Sequence, residues 1–544
     1  MRKLSKVLYM LISLVGSFIG IVILAVINGT MGHLCAIAIT VLGSIGVANM
    51  IGLSAVPISY SLIFILLVSF GVLRGALRYF EQYSNHYIAF RLLAIIRDKI
   101  FKILRKLCPA KLENKQKGDI ISMISADIET LEVFYAHTLS PICIAVLVSI
   151  IMTVFIGYIN IYLGIFALVS YIVVGVLIPK FTSKKTTKLG VEYKNISAKF
   201  SGEYLDVIKG SNEIVLYNIE DEVTKDINNN SNQLNVLSKD LKYKMFKSAS
   251  FINLIVGGLV IGMLVISFYL KQNALISDAD MIIAIVSLMS SFGAVIAVAL
   301  LPNDLTQTFA SANRIMDLME ELPEVEDVVN ANDIEFNNLK VKNLNFGYND
   351  SHQVVNNLSL EVNKGEIVGI IGKSGCGKST LLKLLLRFWK TNGSIFINDI
   401  EINDINTNSL KSNIVMVSQS TYLFDKSIKE NLLIAKPDAT EEELIEACKC
   451  AAIFDVVDKL ENKFDTVISH KHNFSQGERQ RLGLARAFLS DANLILLDEV
   501  TSNVDCINEG IILNSIKENK YNKTMLIVSH KESTINVCSR YIKL

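Results

Sequence analysis

The apolar positions of this chain fall into two regimes. Up to about residue 305 they run together in long stretches, and beyond residue 336 they come in short runs separated by polar turns. A helix needs about 20 apolar residues to cross the hydrocarbon core, because its backbone polar groups find no water there. Seven stretches approach that length: 8–28, 33–52, 55–75, 133–157, 161–179, 251–270 and 281–302. Between them, Ile120, Ile121, Ile124, Ile128 and Leu131 recur at helical spacing. The segments 81–132 and 182–248 therefore read as long helices that continue from the spans into the cytosol. The second regime, short strands with helices between, predicts an α/β domain.

Charge reduces the seven stretches to six. Arg91, Arg97, Lys99, Lys102, Arg105, Lys106, Lys111, Lys115 and Lys117 crowd one segment, and Lys180, Lys184, Lys185, Lys188, Lys194 and Lys199 another. Both are cytoplasmic by the positive-inside rule, as is the N-terminus with Arg2, Lys3 and Lys6. An even number of crossings must then precede residue 91. The Gly/Ala-rich stretch 33–52, which contains His33, is the weakest of the first three. It is expected to extend the first helix and then form an external loop or re-entrant piece. The expected spans lie near 8–28, 55–80, 133–157, 161–181, 251–270 and 281–302. The first is too long for a secretory leader and has no clear small-residue cleavage site. The expected organisation is a membrane domain over 1–308, a connector over 309–333 containing Pro323, and a nucleotide-binding domain over 334–544.

Composition agrees with a split chain. The net charge is +1, so nothing biases the whole toward nucleic acid, and the first acid in the chain is Glu81. The mean hydropathy of +0.41 comes from the first 305 residues. Eight cysteines are scattered without a CxxC pair or metal-like spacing, so they are expected to be reduced. Cys448 and Cys450 are placed on a surface helix.

Gly372-Lys-Ser374-Gly375-Cys376-Gly377-Lys378-Ser379 fits G-x-x-x-x-G-K-[ST]. It follows the apolar run Ile367–Ile371 and opens a helical run from Thr380, the strand–loop–helix context this motif requires. Glycines let backbone N–H groups turn toward phosphates, and the helix N-terminus adds a favourable dipole. Lys378 is expected to reach the β- and γ-phosphates of ATP, and Ser379 to ligate Mg2+. Cys376 lies inside the loop, where oxidation would block nucleotide. Far downstream, Leu494-Ile-Leu-Leu-Asp498-Glu499 is an apolar strand ending in two acids. Asp498 suits a Mg2+ ligand, and Glu499 a group that polarises the attacking water.

Between these motifs lies Asn473-Phe-Ser475-Gln-Gly477-Glu-Arg-Gln-Arg-Leu482, followed by Ala485-Arg-Ala487. This resembles the signature segment of ABC ATPases, and further family elements follow in order. Tyr348 resembles the aromatic that stacks on adenine. Gln419 resembles the glutamine that contacts Mg2+ and water and senses the membrane domain. Ser502-Asn-Val-Asp505 resembles the loop that crosses the dimer interface, and His530 the switch histidine at the γ-phosphate. The resemblance implies ATP hydrolysis by two such domains head to tail, so Ser475 and Gly477 would serve the partner's nucleotide. It also implies an exporter-type fold: a six-span helical bundle with long cytoplasmic helices, fused to a C-terminal α/β ATPase domain. The sequence departs from the family in three places. The signature reads Phe-Ser-Gln-Gly-Glu instead of Leu-Ser-Gly-Gly-Gln. Ile-Ser-His-Lys-His at 468–472 replaces the usual Gly-Glu pair. The chain ends at Leu544, short of the family's closing hairpin and helix.

Arg74-Gly-Ala-Leu-Arg78-Tyr-Phe-Glu81, then His86, Phe90-Arg91, Cys108-Pro109 and Gly118-Asp119-Ile120, resemble the half-transporters of cytochrome bd assembly, the CydC/CydD type. Members are associated with export of cysteine or glutathione and with haem, and work as heterodimers. The resemblance covers about fifty residues well. Arg74, Arg78 and His86 either position a helix end by snorkelling and pairing, or line a pocket for an anionic substrate or a haem. His33 and Cys35 are further candidate ligands at the outer end. The expected partners are a second half-transporter, the lipid bilayer and a small-molecule substrate, with no nucleic acid. A soluble ABC ATPase would lack the spans, and a nucleotide-binding receptor or channel would not need Glu499 and His530 together. An exporter of peptide, lipid or drug, or an importer built on the exporter fold, stays open.

Overall fold

The computed structural model describes residues 4–53, 58–113, 115, 117–348, 353–373, 375–468, 474–502, 504–518 and 523–544. The chain forms two compact units, Met1–Arg105 with Asn114–Glu321 and Lys106–Glu113 with Leu322–Leu544.

The first unit is helical. Helix α1 (Leu4–Val15) ends in a 3-10 turn at Gly16–Phe18, and α2 (Ile19–Met50) follows. The break coincides with Gly16-Ser17, two poor helix formers in an otherwise apolar run. After α3 (Tyr60–Leu107) comes the single turn α4 (Ala110–Glu113), which belongs to the second unit; the first unit resumes with a helical segment with π-turns at Met123–Asp127 and Tyr135–Leu139. Then come α5 (Ser140–Ile159), α6 (Ile161–Ile172), α7 (Ile178–Lys209), α8 (Ser211–Leu216), α9 (Glu220–Gln272), α10 (Asp278–Leu300) and α11 (Pro302–Met319). Capping marks two turns between successive spans. Asn160 accepts the Tyr162 N–H at 3.0 Å, and Ser277 with Asp280 forms a reciprocal capping box.

Six described helical stretches are long and apolar enough to cross a membrane: Lys6–Met50, Tyr60–Leu107, Gly118–Ile159, Ile161–Lys180, Glu220–Gln272 and Asp278–Leu300. Stretch 33–52 adds no span, yet it is neither loop nor re-entrant piece. It continues α2 as helix to Met50, because Ile37, Val41 and Ile45 pack at four-residue spacing into the cluster of Val148, Leu288 and Phe292. Outward faces stay apolar: Phe64, Val72, Leu254 and Ile261 are 65–73% exposed. Contiguous faces of this kind are stable against lipid or another apolar surface, not against water. In a cysteine-depleted chain, cysteine at Leu275 should react with an impermeant maleimide added outside sealed cells, and cysteine at Leu112 only after the membrane is opened. Reaction at 112 in sealed cells contradicts the six-span count.

The connector is shorter than expected. Residues 309–319 finish α11, which buries Ala312, Ile315, Met316 and Leu318 in the first unit, and the unit boundary follows Glu321. Asp127, buried in the π-turn, ties the preceding segment to α11 through Ser311 Oγ at 2.8 Å and Arg314 Nη1 at 2.9 Å.

The second unit contains two sheets. One is antiparallel, in the order β2-β1-β4-β5, from β1 (Asn338–Phe346), β2 (Val355–Asn363), β4 (Ile395–Ile397) and β5 (Ile400–Glu401). The other is parallel, in the order β6-β7-β8-β3-β9, from β3 (Ile367–Ile371), β6 (Ile414–Val417), β7 (Leu494–Asp498), β8 (Thr524–Val528) and β9 (Arg540–Lys543). Strands β7 and β8 are buried throughout, so they read as apolar runs without alternation. Residues 106–113 belong to this unit. Ala110 joins the cluster of Phe336, Leu381 and Leu385, Lys111 pairs with Glu324 at 2.8 Å, and Glu113 pairs with Lys383. Cys448 and Cys450 are not on a surface. Helix Glu441–Cys450 turns both inward, where they pack as small apolar side chains beside Leu482 and Val504.

Candidate functional site

Ligands of parallel sheets bind beyond the carboxyl ends of the strands, and there the candidate residues converge. Strand β3 leads into the phosphate loop, β6 into Gln419, β7 into Asp498 and Glu499, and β8 into His530. Adjacency in the sheet explains how residues up to 158 positions apart share one site.

The phosphate loop turns into α12 (Lys378–Leu385) through Gly375 and Gly377, at φ +81° and +99°. A Cβ on Gly377 would sit 2.7 Å from the Val354 carbonyl oxygen, so glycine is required there for space as well as conformation. Lys378 is buried and its Nζ donates to the carbonyls of Gly372 and Lys373, at 2.9 Å each. Cys376 Sγ lies 4.0 Å from the same ammonium. Ser374 lies outside the described residues. Beside Ser379 lies Asp498, whose carboxyl is pushed above the usual carboxylate range by burial and, less, by the neighbouring Glu499 charge. A buried carboxylate, a hydroxyl and the Gln419 amide form a hard oxygen set that suits Mg2+.

Glu499 is the hub. Its Oε1 is 2.7 Å from His530 Nε2, and its Oε2 accepts Gln419 Nε2 at 3.0 Å. Its backbone takes φ +51°. Its carbonyl accepts Gln480 Nε2 and Ser502 Oγ, both at 2.9 Å, which holds that uncommon conformation.

Tyr348 hydrogen-bonds Thr380 Oγ1 at 3.1 Å and meets Trp389 edge-on, with ring centroids 4.9 Å apart. Sequence reading missed Trp389, the one tryptophan in the chain, because its partner in space lies 41 residues away. Helix α13 (Gln476–Leu489) starts at Ser475. Ser475 Oγ accepts the Glu478 N–H at 3.2 Å and Glu478 Oε2 accepts the Ser475 N–H at 2.8 Å. The unusual Glu of the signature thus completes a capping box. Gly477 is buried, Ser475 and Asp505 are exposed, and no described hydrogen bond joins Ser475 or Asp505 to the chain's own phosphate loop. Asp505 caps α14 (Cys506–Glu518) by accepting the Asn508 amide, side chain and backbone, which lowers its carboxyl below the ordinary range. Most of 468–472 lies outside the described residues.

In the membrane unit the candidate substrate residues separate into two clusters. Arg78 Nη1 donates to both Glu81 oxygens, at 2.7 and 2.8 Å, and Glu81 is buried. A Cβ on Gly29 would meet Ile144 Cδ1 at 2.3 Å and Glu81 Cδ at 3.0 Å, so the glycine leaves α2 room for both side chains. Arg74 and Arg78 act electrostatically on His33, and Arg74 has no ion pair among the described residues. His86 belongs elsewhere: Nδ1 is 3.1 Å from Glu132 Oε1 and the ring meets His137 edge-on at 5.3 Å. Cys35 is buried, and no metal-competent group of His, Cys, Asp and Glu occurs among the described residues.

A parallel-sheet ATPase unit with this loop, acid pair and signature helix, joined to a six-helix membrane unit, defines an ABC transporter of the exporter type. The chain belongs to the ABC transporter family: the profile of the ABC transporter transmembrane region matches residues 4–295, and the ABC transporter profile matches 355–502. An ABC transporter ATP-binding/permease protein of Haemophilus influenzae is 40% identical, covering 98% of this chain and 97% of that protein. The glutathione/L-cysteine transport system ATP-binding/permease protein CydC of Escherichia coli is 28% identical, over 92% and 90%. The multidrug export ATP-binding/permease protein YgaD of Bacillus subtilis is 28% identical, over 89% and 84%. Among solved structures, a bacterial Atm1-family ABC exporter with ATP bound has the same fold, with a TM-score of 0.83 at 20% identity over 96% of this chain and 93% of that one. The protein is a multi-pass membrane half-transporter whose ATP hydrolysis is coupled to transport, and such halves act as dimers.

Proposed function

We propose that this chain is one half of a heterodimeric transporter of the cytoplasmic (inner) membrane, hydrolysing ATP on the cytoplasmic side to move a small thiol compound or a haem-related molecule. The observation that carries the chemical part is the meeting of Gln419, Asp498, Glu499 and His530 beyond adjacent strand ends beside the phosphate loop. Residues 372–380 hold the phosphates and Tyr348 the adenine. Ser379, Asp498 and Gln419 hold Mg2+, which when bound offsets phosphate charge. Glu499 takes the proton of the attacking water, with His530 and Gln419 fixing its two oxygens. Ser475, Gly477 and Asp505 serve the nucleotide across the dimer.

The cargo reading rests on the Arg74–Glu81 resemblance and on the named substrates of the CydC relatives. Local charge supports it. Glu81 already neutralises Arg78, so Arg74 supplies the net positive charge for a carboxylate or propionate. The Glu132 carboxylate fixes the orientation of the His86 ring through Nδ1, which would leave Nε2 to contact the iron of a haem cargo. The test uses the purified complex with its partner half. Haemin or glutathione should stimulate ATP hydrolysis, haemin should show a shifted Soret band, and Arg74→Ala with His86→Ala should remove these responses. Responses that survive the double substitution exclude these residues. Silence to both compounds, with stimulation by hydrophobic drugs, would move the cargo to the class in the YgaD name.

A further inference from the structure

We propose that Glu509 and Lys531 form a positioning pair that keeps Glu499 and His530 aligned. Lys531 directly follows His530, and its Nζ donates to Glu509 Oε2 at 2.7 Å and to the Thr501 carbonyl at 2.8 Å. The other Glu509 oxygen accepts Ser533 Oγ at 2.8 Å. Glu509 is only 7% exposed, and a carboxylate so placed is stable only while paired and hydrogen-bonded. The Lys531 N–H donates to Ser529 Oγ at 3.1 Å, and the Ser529 N–H reaches the Ile370 carbonyl of β3 at 3.3 Å.

One ammonium therefore fastens three segments: the turn after β7, the first turn of α14 eight residues on, and the loop after β8, 22 residues beyond Glu509. The first carries Glu499 two residues before Thr501, and the third carries His530 one residue before Lys531. The 2.7 Å contact between Glu499 and His530 spans these two segments, and the pair is the pin beside it. Glu499 also holds its left-handed backbone only while the turn is over-determined, and the bond to Thr501 fixes the far side of that turn. On α14 the Glu509 N–H donates to the Asp505 carbonyl at 2.8 Å, so the pin is one helical turn from the dimer-facing acid. Neither side chain of the pair touches the reacting groups. They act through Glu499 and His530.

The inference rests on the reading of Glu499 as the base, and the experiment separates the two. In the purified complex with its partner half, Lys531→Ala and Glu509→Gln should each lower kcat about tenfold, since small misplacement of a catalytic group is costly. The KM for MgATP should stay within about twofold, because phosphate loop and Tyr348 are untouched. The double variant should be no slower than either single one, as residues acting as a unit are non-additive. Lys531→Arg, which keeps charge and donors, should recover at least half of the turnover. If Lys531→Ala fails to fold, the isosteric Glu509→Gln carries the test. Full turnover in both variants beside an inactive Glu499→Gln overturns the positioning role alone. So does a fall in kcat that Lys531→Arg does not restore, or one matched by KM, since either marks a general fold defect. Full turnover in Glu499→Gln removes the reading beneath it.

Discussion

Glu499→Gln is expected to cut ATP hydrolysis by about 10²–10⁴-fold while ATP still binds, the range for removing a positioned general base. The substitution is isosteric, and Gln480 and Ser502 hold the backbone carbonyl, not the side chain, so the turn survives. An amide cannot take the water's proton. It also presents one acceptor where Glu499 presents two, so it cannot satisfy His530 and Gln419 as donors at once. Turnover measured with a fluorescent-nucleotide binding assay checks both halves of the expectation. Binding lost together with turnover would show that Glu499 is structural.

Gly377→Val is expected to weaken nucleotide binding at its source. The residue sits at φ +99°, where a β-branched side chain is strained, and its Cβ would meet the Val354 carbonyl oxygen at 2.7 Å. The obstacle is the backbone just before β2, not a flexible side chain, so the loop must move. Strain of this kind costs on the order of 1–3 kcal/mol. ATP affinity should therefore fall by about tenfold or more, each 1.4 kcal/mol being a factor of ten. Unchanged affinity would mean that the loop does not hold the phosphates as drawn.

The nucleotide site was legible because its parts are local. A phosphate loop needs a strand, glycines and a helix start in one continuous segment, and the acid pair needs only a strand end. Lysine and arginine clusters likewise counted the spans, because a charge near a bilayer has one comfortable side. What escaped reading depends on neighbours in space. Gly16-Ser17 breaks the first apolar run without any charge to mark it, and 33–52 stays helical because partners bury Ile37, Val41 and Ile45. Sequence reading put Arg74, Arg78 and His86 together, as one helix end or one pocket. The fold gives Glu81 to Gly29 and Arg78, and His86 to Glu132 and His137. Cys448 and Cys450, read as surface residues, are core. Glu509 and Lys531, 22 residues apart, carry no motif of their own.

The central claim is ATP-driven movement of a small thiol or haem-related cargo through a dimer containing this chain. It is tested most directly in inside-out vesicles from cells making this chain with its co-purifying partner half. Labelled glutathione, cysteine and haemin are supplied outside with MgATP, and a parallel preparation carries Glu499→Gln. ATP-dependent accumulation of at least one of the three is expected in the first preparation and of none in the second. Equal accumulation in both, or ATP-dependent uptake of a hydrophobic drug with no uptake of thiol or haemin, would contradict it.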